Sequence, residues 1–273
     1  MGSLKGWVIG VVVVFGLTLW FGGRLDQTDH NQTAPINREV SQAREEFASF
    51  AESQISLLRA EPNESPGRQT SAGHAERSGR TGSSGDLYAK FAEEFVALSR
   101  IVAREAEAHH RRLSEANIEQ LLVPERLYAD RQYGMSESRE IISAVEALTR
   151  QQINRIDEIN NEYRARIASM ITSAQDRAEF FTTFDTGRLQ SEQITAKEFD
   201  ILAQYKKIID ILERDGDWTV SGGQLYFQDP RSLANFNNAL SNIETIAEEQ
   251  ARLMTKAAAH IDSAFETFEQ LPH

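Results

Sequence analysis

From Ile142 to Ala174 the inward side chains recur at steps of three and four residues, through Val145, Leu148, Gln152, Ile156, Ile159, Tyr163, Ile167 and Met170, with Phe181 seven residues further on. A strand repeats its faces every second residue and cannot hold this period, whereas a helix gathers such positions onto one stripe. The spacing predicts a single long helix from about Ser136 to Phe181, with Ser136 as its N-cap. At 1.5 Å per residue such a helix reaches about 70 Å. A stripe of that length has to be covered by other long helices, which confines the chain to an elongated helical assembly.

Three more segments offer that cover. Leu87, Phe91, Phe95, Leu98, Ile101 and Val102 open a helix that runs through Arg112. Ser191 to Arg214 forms another, carrying Ile194, Phe199, Leu202, Tyr205, Ile209 and Leu212 and stopped by Asp215-Gly216. The last starts at Asp229-Pro230, a cap followed by proline at the first helical position, and continues through Leu233, Phe236, Leu240, Ile243 and Ile246 towards Phe268. Between Leu113 and Gly134, Pro124 and the closing glycine predict a bend or short helices. The only strand-like passage is WTVSGGQLYF, Trp218 to Phe227, with Gly222-Gly223 as the loop of a hairpin. Its register then sets Ser221 opposite Gln224 and Trp218 opposite Phe227, with Trp218, Val220, Leu225 and Phe227 on one face. The expected fold class is all-α: an elongated antiparallel bundle of about four long helices over 87–273, with one small β-hairpin near 218–227.

Ahead of the bundle, Gly6 to Gly23 runs for eighteen residues without a charge, flanked by Lys5 and Arg24. That length suffices for a transmembrane helix, and Trp7 and Trp20 fall where indole rings anchor at the membrane interface. The run ends in Leu19-Trp20-Phe21, unlike the small residues that precede a signal cleavage site, so it reads as a retained anchor over 1–25. Lys5 and the acidic pair Asp26 and Asp29 favour a cytoplasmic amino terminus, with the bulk of the chain outside the membrane, periplasmic in a Gram-negative cell. Gly6 and Gly10 make one small-xxx-small pair that bears on dimerisation. Residues 26–60 read as a juxtamembrane helical stalk in which Val40, Ala43, Phe47, Phe50, Gln54 and Leu57 form an a/d seam. This seam can pair with its twin in a homo-oligomer, fold back on the bundle, or lie on the membrane. Glu61 to Asp86 has no large apolar residue, so 61–86 reads as a disordered linker.

The segment Ile208 to Leu240 resembles the carboxy-terminal part of a bacterial domain-of-unknown-function family typified by small enteric envelope lipoproteins. The shared order is a helix, a glycine, a hairpin carrying Val220, Gly223, Leu225 and Phe227, and the pair Phe236-Asn237. The resemblance implies an envelope location and a helical fold and supplies no catalytic residue. It departs at the tether, since those lipoproteins carry a lipidated cysteine and this chain has none.

The absence of cysteine excludes disulfides, thiol catalysis and thiolate metal sites. A net charge of −12 opposes a nucleic-acid partner. Glu107 with His110, and Glu105 with His109, gather ligand-type side chains on the first bundle helix, but no second such motif completes a di-metal set. No nucleophile elbow or phosphate loop is present, and Glu244, Glu248 and Glu249 sit at the spacing of a solvated face. No cofactor, metal or catalytic residue is therefore assigned. The hairpin aromatics Trp218, Tyr226 and Phe227 are the interaction candidates, either as a binding knob or as a cap on the core. The composite expectation is a non-enzymatic protein, anchored in the lipid bilayer and extracytoplasmic, that engages a partner protein or acts as a scaffold. The alternative is a ligand-binding, sensor-like bundle, for which a buried polar cluster around Gln152, Tyr163 or Tyr205 would be the mark.

Overall fold

The computed structural model describes residues 41–42, 44–45 and 83–269. Among these are five α-helices and one hairpin: α1 (Ser83–Glu115), α2 (Pro124–Arg131), α3 (Ser136–Met170), α4 (Ala174–Arg214), β1 (Trp218–Ser221), β2 (Gln224–Phe227) and α5 (Pro230–Glu269), with a 3₁₀ turn at Ile118–Gln120. The run Gly6 to Gly23, with Trp7 and Trp20, lies outside the described residues, as do most of the stalk and linker residues 61–82. Among the described residues no helix is long and apolar enough to cross a membrane. The last four residues of the expected linker, 83–86, instead form the first turn of α1. Ser83, Ser84 and Asp86 are residue types that suit a helix start, where side-chain oxygens and negative charge meet free N–H groups.

The long helix expected from Ser136 to Phe181 is in fact two. α3 ends at Met170, the chain reverses over 171–173, and α4 takes up Ala174 and Phe181 and runs unbroken to Arg214. Residues 182–190, which fall between the two expected helices, are thus helical as well. Ile171 adopts an extended conformation with φ −87° and ψ 109°. Its carbonyl accepts from the Arg177 guanidinium, at 2.8 Å from Nη2, so an end-of-helix oxygen is satisfied from the next helix. Ile171 is also buried, which carries the apolar period across the turn without a gap. The stop signal is Thr172-Ser173 followed by Asp176, a cap-like start that the unbroken stripe obscures.

Consecutive long helices pack in pairs, α1 on α3, α3 on α4, and most extensively α4 on α5. Polar pairs at the edges show antiparallel registers. Arg155 meets Glu105 at 3.2 Å and Arg166 meets Glu94 at 3.3 Å across α1 and α3. Lys206 meets Glu146 at 2.6 Å and Arg164 meets Asp185 at 2.7 Å across α3 and α4. Lys197 meets Glu249 at 2.5 Å across α4 and α5. Exposed pairs of this kind contribute less than about 1 kcal/mol each. The apolar interior contributes far more: Leu98, Val102, Ile142, Val145, Ile156, Ile167, Ile194, Leu202, Ile208 and Ile243 are all buried. Leu233, expected inside, is 39% exposed, and Ser232 takes the buried place beside it.

A polar clasp joins α2 to α3. Pro124 occupies the first turn of α2, as its fixed φ favours. Gly134 and Met135 then turn the chain with positive φ, and Met135, the residue ahead of α3, offers no side-chain cap. Buried Asp130 caps α3 from outside instead, accepting from the Glu137 N–H at 3.0 Å, the Ser138 N–H at 2.8 Å and the Ser138 hydroxyl at 2.6 Å. Burial alone would raise the Asp130 carboxyl, but the Ser138 and Glu137 hydrogen bonds and the Arg126 charge bring it below the usual range. Arg126 adds a bond to the Ser138 hydroxyl at 2.8 Å and one to the Leu121 carbonyl at 2.5 Å.

The hairpin has the register its two glycines require, Trp218 with Phe227 and Ser221 with Gln224. Asp229 caps α5 through the N–H groups of Arg231 and Ser232.

Asp130→Ala is expected to destabilise the chain by about 2–3 kcal/mol, since it strands two helix-start donors and a buried hydroxyl. Urea unfolding followed by circular dichroism measures this, and Asp130→Asn, which keeps one acceptor, should lose less.

Candidate ligand-binding cleft

Two places in the fold collect polar or aromatic groups beyond what packing needs. The first is the hairpin end. Trp218 is fully buried, its indole N–H donating to the Leu212 carbonyl at 2.8 Å, with the Tyr128 ring edge-on at 6.1 Å. The Arg131 guanidinium covers the indole at 5.3 Å from the ring centre and donates to the Trp218 carbonyl at 2.9 Å. Phe227 is half-buried against Phe236, with ring centres 5.1 Å apart. Of the three aromatic candidates, Tyr226 alone presents its ring to solvent, at 51% exposure. Trp218 belongs to the core, because its indole N–H has an internal carbonyl to satisfy it and its strand face looks onto the bundle. Tyr128 and Tyr133, 53% and 69% exposed, stand on and just after α2, which packs against β1. Nothing in the sequence pattern singles out either one, since neither belongs to a long apolar period.

The second place is the middle of the bundle. By the edge registers, His109 on α1, Gln152 on α3, Glu198 on α4 and Gln250 on α5 fall at about one level, and all four are buried. Arg112 donates to the Gln152 side-chain oxygen at 3.2 Å, leaving Gln152 Nε2 without a partner among the described residues. Gln250 donates to Glu198 Oε1 and to the Ile194 carbonyl, both at 3.4 Å. Neither nitrogen of His109 has a partner among the described residues, nor has Thr149 Oγ1 or Glu198 Oε2. Further along α3, Asn160 Oδ1 and the Tyr163 hydroxyl are equally shielded and unpartnered. Burial pushes the His109 imidazole down to about 4, helped by the positive charge of Arg112 and by His110. Burial pushes the Glu198 carboxyl well above the usual range. At neutral pH the His109 imidazole is therefore uncharged, and for Glu198 burial favours the protonated form. Glu105 and Glu107, the carboxylates nearest these histidines in sequence, do not join them. Glu105 pairs with Arg155, Glu107 is exposed, and among the described residues no group of three metal-ligating side chains converges.

Next to this level, α3 and α4 part to leave a cleft of about 380 Å³. Ile156, Asn160, Ser191 and Thr195 are its buried residues, and Ile153 and Phe199 are half-buried walls. Asp157, Arg188, Glu192 and Ala196 form its exposed rim. The Arg150 guanidinium lies over the Phe199 ring, 5.0 Å from its centre. Apolar walls with a few converging polar atoms are the usual build of a small-molecule site, and the volume lies within the range such sites occupy. Gln152 signals polarity within the stripe already in the sequence. Asn160, Ser191 and Thr195 do not, because each adjoins an apolar seam residue and reads as the edge of a solvated face. Comparisons with protein-family models, with curated proteins and with solved structures returned no match to this chain.

The two buried titratable groups respond to pH in opposite senses. The unfolded chain protonates His109 below about pH 6.5, whereas the folded chain resists until about 4. Stability should therefore fall as pH drops through that window and level off beneath it, a loss on the order of 3 kcal/mol from this residue. Burial raises the folded Glu198 carboxyl above its unfolded value of about 4.5, so its contribution falls as pH rises out of the acid range. Thermal unfolding across pH should show His109→Leu flattening the acid limb and Glu198→Gln raising Tm increasingly as pH rises from the acid range.

Proposed function

We propose that this chain is a membrane-tethered, extracytoplasmic ligand-binding protein of the cell envelope, a sensor-like helical bundle that takes up a small molecule between two of its helices. The observation that carries the reading is the α3–α4 cleft, whose buried lining residues include Asn160, a residue with a shielded, unpartnered side-chain oxygen. Leaving a polar atom buried and unpaired costs about 1–3 kcal/mol, which a purely structural bundle avoids by placing leucine there. Several such atoms lie along α3 near the cleft, among them those of Thr149, Gln152 and Tyr163. The tether rests on the uncharged run Gly6 to Gly23 with its terminal Trp7 and Trp20, and the amino terminus is taken as cytoplasmic. The role is binding rather than catalysis, with no cofactor assigned.

A second reading, contact with a partner protein, is favoured by Tyr128, Tyr133 and Tyr226, all more than half exposed and carried by α2, the turn that follows it and the hairpin. Tyrosine gives large contact area at low entropic cost.

Ala196 sits exposed on the cleft rim, so Ala196→Trp fills the cleft from outside without touching the core. A small-molecule screen by thermal shift, on the full chain in lipid nanodiscs, should yield compounds that raise the Tm of the native protein but not of Ala196→Trp. Compounds that stabilise both equally, or none that stabilise either, would overturn the ligand-binding reading.

A further inference from the structure

We infer that strand β2 is an edge on which two copies of this chain pair, antiparallel and about a two-fold axis through Tyr226. The inference stands apart from the cleft and assigns a partner to the hairpin.

The hydrogen-bond parity of the hairpin fixes which backbone groups face outwards. Trp218 pairs with Phe227, Thr219 with Tyr226, Val220 with Leu225 and Ser221 with Gln224. Just beyond the strands, the Gln228 N–H donates to the Asp217 carbonyl at 3.0 Å. Bonded and non-bonded pairs alternate along an antiparallel ladder, so Thr219 with Tyr226 and Ser221 with Gln224 exchange bonds. The N–H and C=O groups of Trp218, Val220, Leu225 and Phe227 then point away from the neighbouring strand. On β1 the outward Trp218 carbonyl accepts from Arg131 Nη1 at 2.9 Å, so α2 guards that edge. On β2 no backbone hydrogen bond from the described residues reaches the outward groups of Leu225 and Phe227. Gln224 and Tyr226, on either side of Leu225, are exposed.

Free edge groups invite another strand, and chains discourage this with lysine, proline or a bulge. β2 carries none of these: Gln224 to Gln228 reads QLYFQ, without charge or proline, and the register is unbroken. The near-palindrome is what selects a second copy. Bonding through the outward groups sets Leu225 against the partner's Phe227 and Phe227 against the partner's Leu225, each pair exchanging both bonds. Tyr226 then faces the partner's Tyr226 in a non-bonded pair, where side chains approach most closely, and Gln224 faces the partner's Gln228. Apolar meets apolar, ring meets ring and amide meets amide, and each such pair adds to sheet stability. The first charge beyond, Asp229, falls opposite the partner's Gly223, so no like charges face each other in the paired stretch although the chain carries −12. A ladder this short makes a weak, reversible dimer.

The test uses the full chain in detergent micelles, its mass followed by light scattering through a dilution series. The native chain should dimerise. Tyr226 is 51% exposed, so Tyr226→Lys and Tyr226→Glu should leave Tm unchanged while each raises the dimer's Kd by about tenfold or more, like charges now facing across the axis. An equimolar mixture of the two variants should recover the dimer, since opposite charges then meet. The chain has no cysteine, so single thiols report the register. Tyr226→Cys should form a disulfide dimer on mild oxidation, because facing Cα atoms of a non-bonded pair lie about 4.5 Å apart, within disulfide range. Gln224→Cys should not, as its copy lies four residues away along the ladder, roughly 13 Å. A dimer that Tyr226→Lys leaves intact is held by another segment and would overturn the inference, as would a mixture no more associated than either variant, or equal cross-linking at both thiols. A native chain that stays monomeric at every concentration also overturns it and leaves the edge to an extended segment of another protein.

Discussion

A helix stripe wide enough to be buried on two sides has to be met from two sides. On α3 both members of the adjacent pairs Ile141-Ile142 and Ile159-Asn160 are buried, so the covered arc is broader than one neighbouring helix can shield. α1 covers part of it and α4 another part, which makes the reversal over 171–173 and the α2 clasp the two joints on which the assembly depends. Each buried isoleucine is worth about 1.5–3 kcal/mol, against less than about 1 kcal/mol for an exposed ion pair. The charged edges therefore choose the register, and the isoleucines supply the stability. Arg139 illustrates the division: it meets Asp210 at 2.9 Å and Glu213 from the first turn of α3, all three side chains about half in water.

Against that apolar frame, the buried polar groups are a cost that packing did not require. Removal from water disfavours the charged form of both, lowering the His109 imidazole and raising the Glu198 carboxyl. Their stability contributions pull in opposite directions with pH, and neither is matched by an ion pair among the described residues. A fold that keeps such groups gives up stability at those positions, and sites of function are where natural chains tolerate that trade. The cleft beside them follows the same logic, since Asn160 and Thr195 take places where larger apolar side chains would close the gap between α3 and α4.

How much of this is legible in the sequence depends on how local the determining physics is. The hairpin register follows from Gly222 and Gly223, which both adopt positive φ in the turn. The start of α5 follows from Asp229 and Pro230 in the same way, because a cap and a proline act within one turn of chain. The α3–α4 reversal is hidden because Ile171 continues the apolar period through the turn while its extended backbone ends the helix. Leu233, and the choice between knob and cap for Trp218, escape for a different reason. Whether a residue at a helix start or on a hairpin faces solvent depends on which element lies across from it, and α2 against β1 is a contact between segments far apart in sequence. The cleft is least legible of all. Asn160 and Thr195 have no period of their own, and only the arrangement of two helices decides whether a polar residue at a seam edge meets water or a cavity.

The described stalk residues relate the two ends of the fold. Arg44 donates to the Asp262 carboxylate at 2.7 Å, so the chain ahead of the linker returns to the distal part of α5. The hairpin and its exposed tyrosine lie at the opposite end of α5, which at 1.5 Å per residue is about 50 Å from Asp262. Because α4 runs antiparallel to α5, the α3–α4 reversal sits at the Asp262 end. The stalk contact and the helix reversal therefore share one end of the fold, the tyrosines stand at the other, and the cleft lies between them. A partner at the tip and a small molecule in the cleft would then meet separate surfaces. The two readings of function need not compete for the same residues.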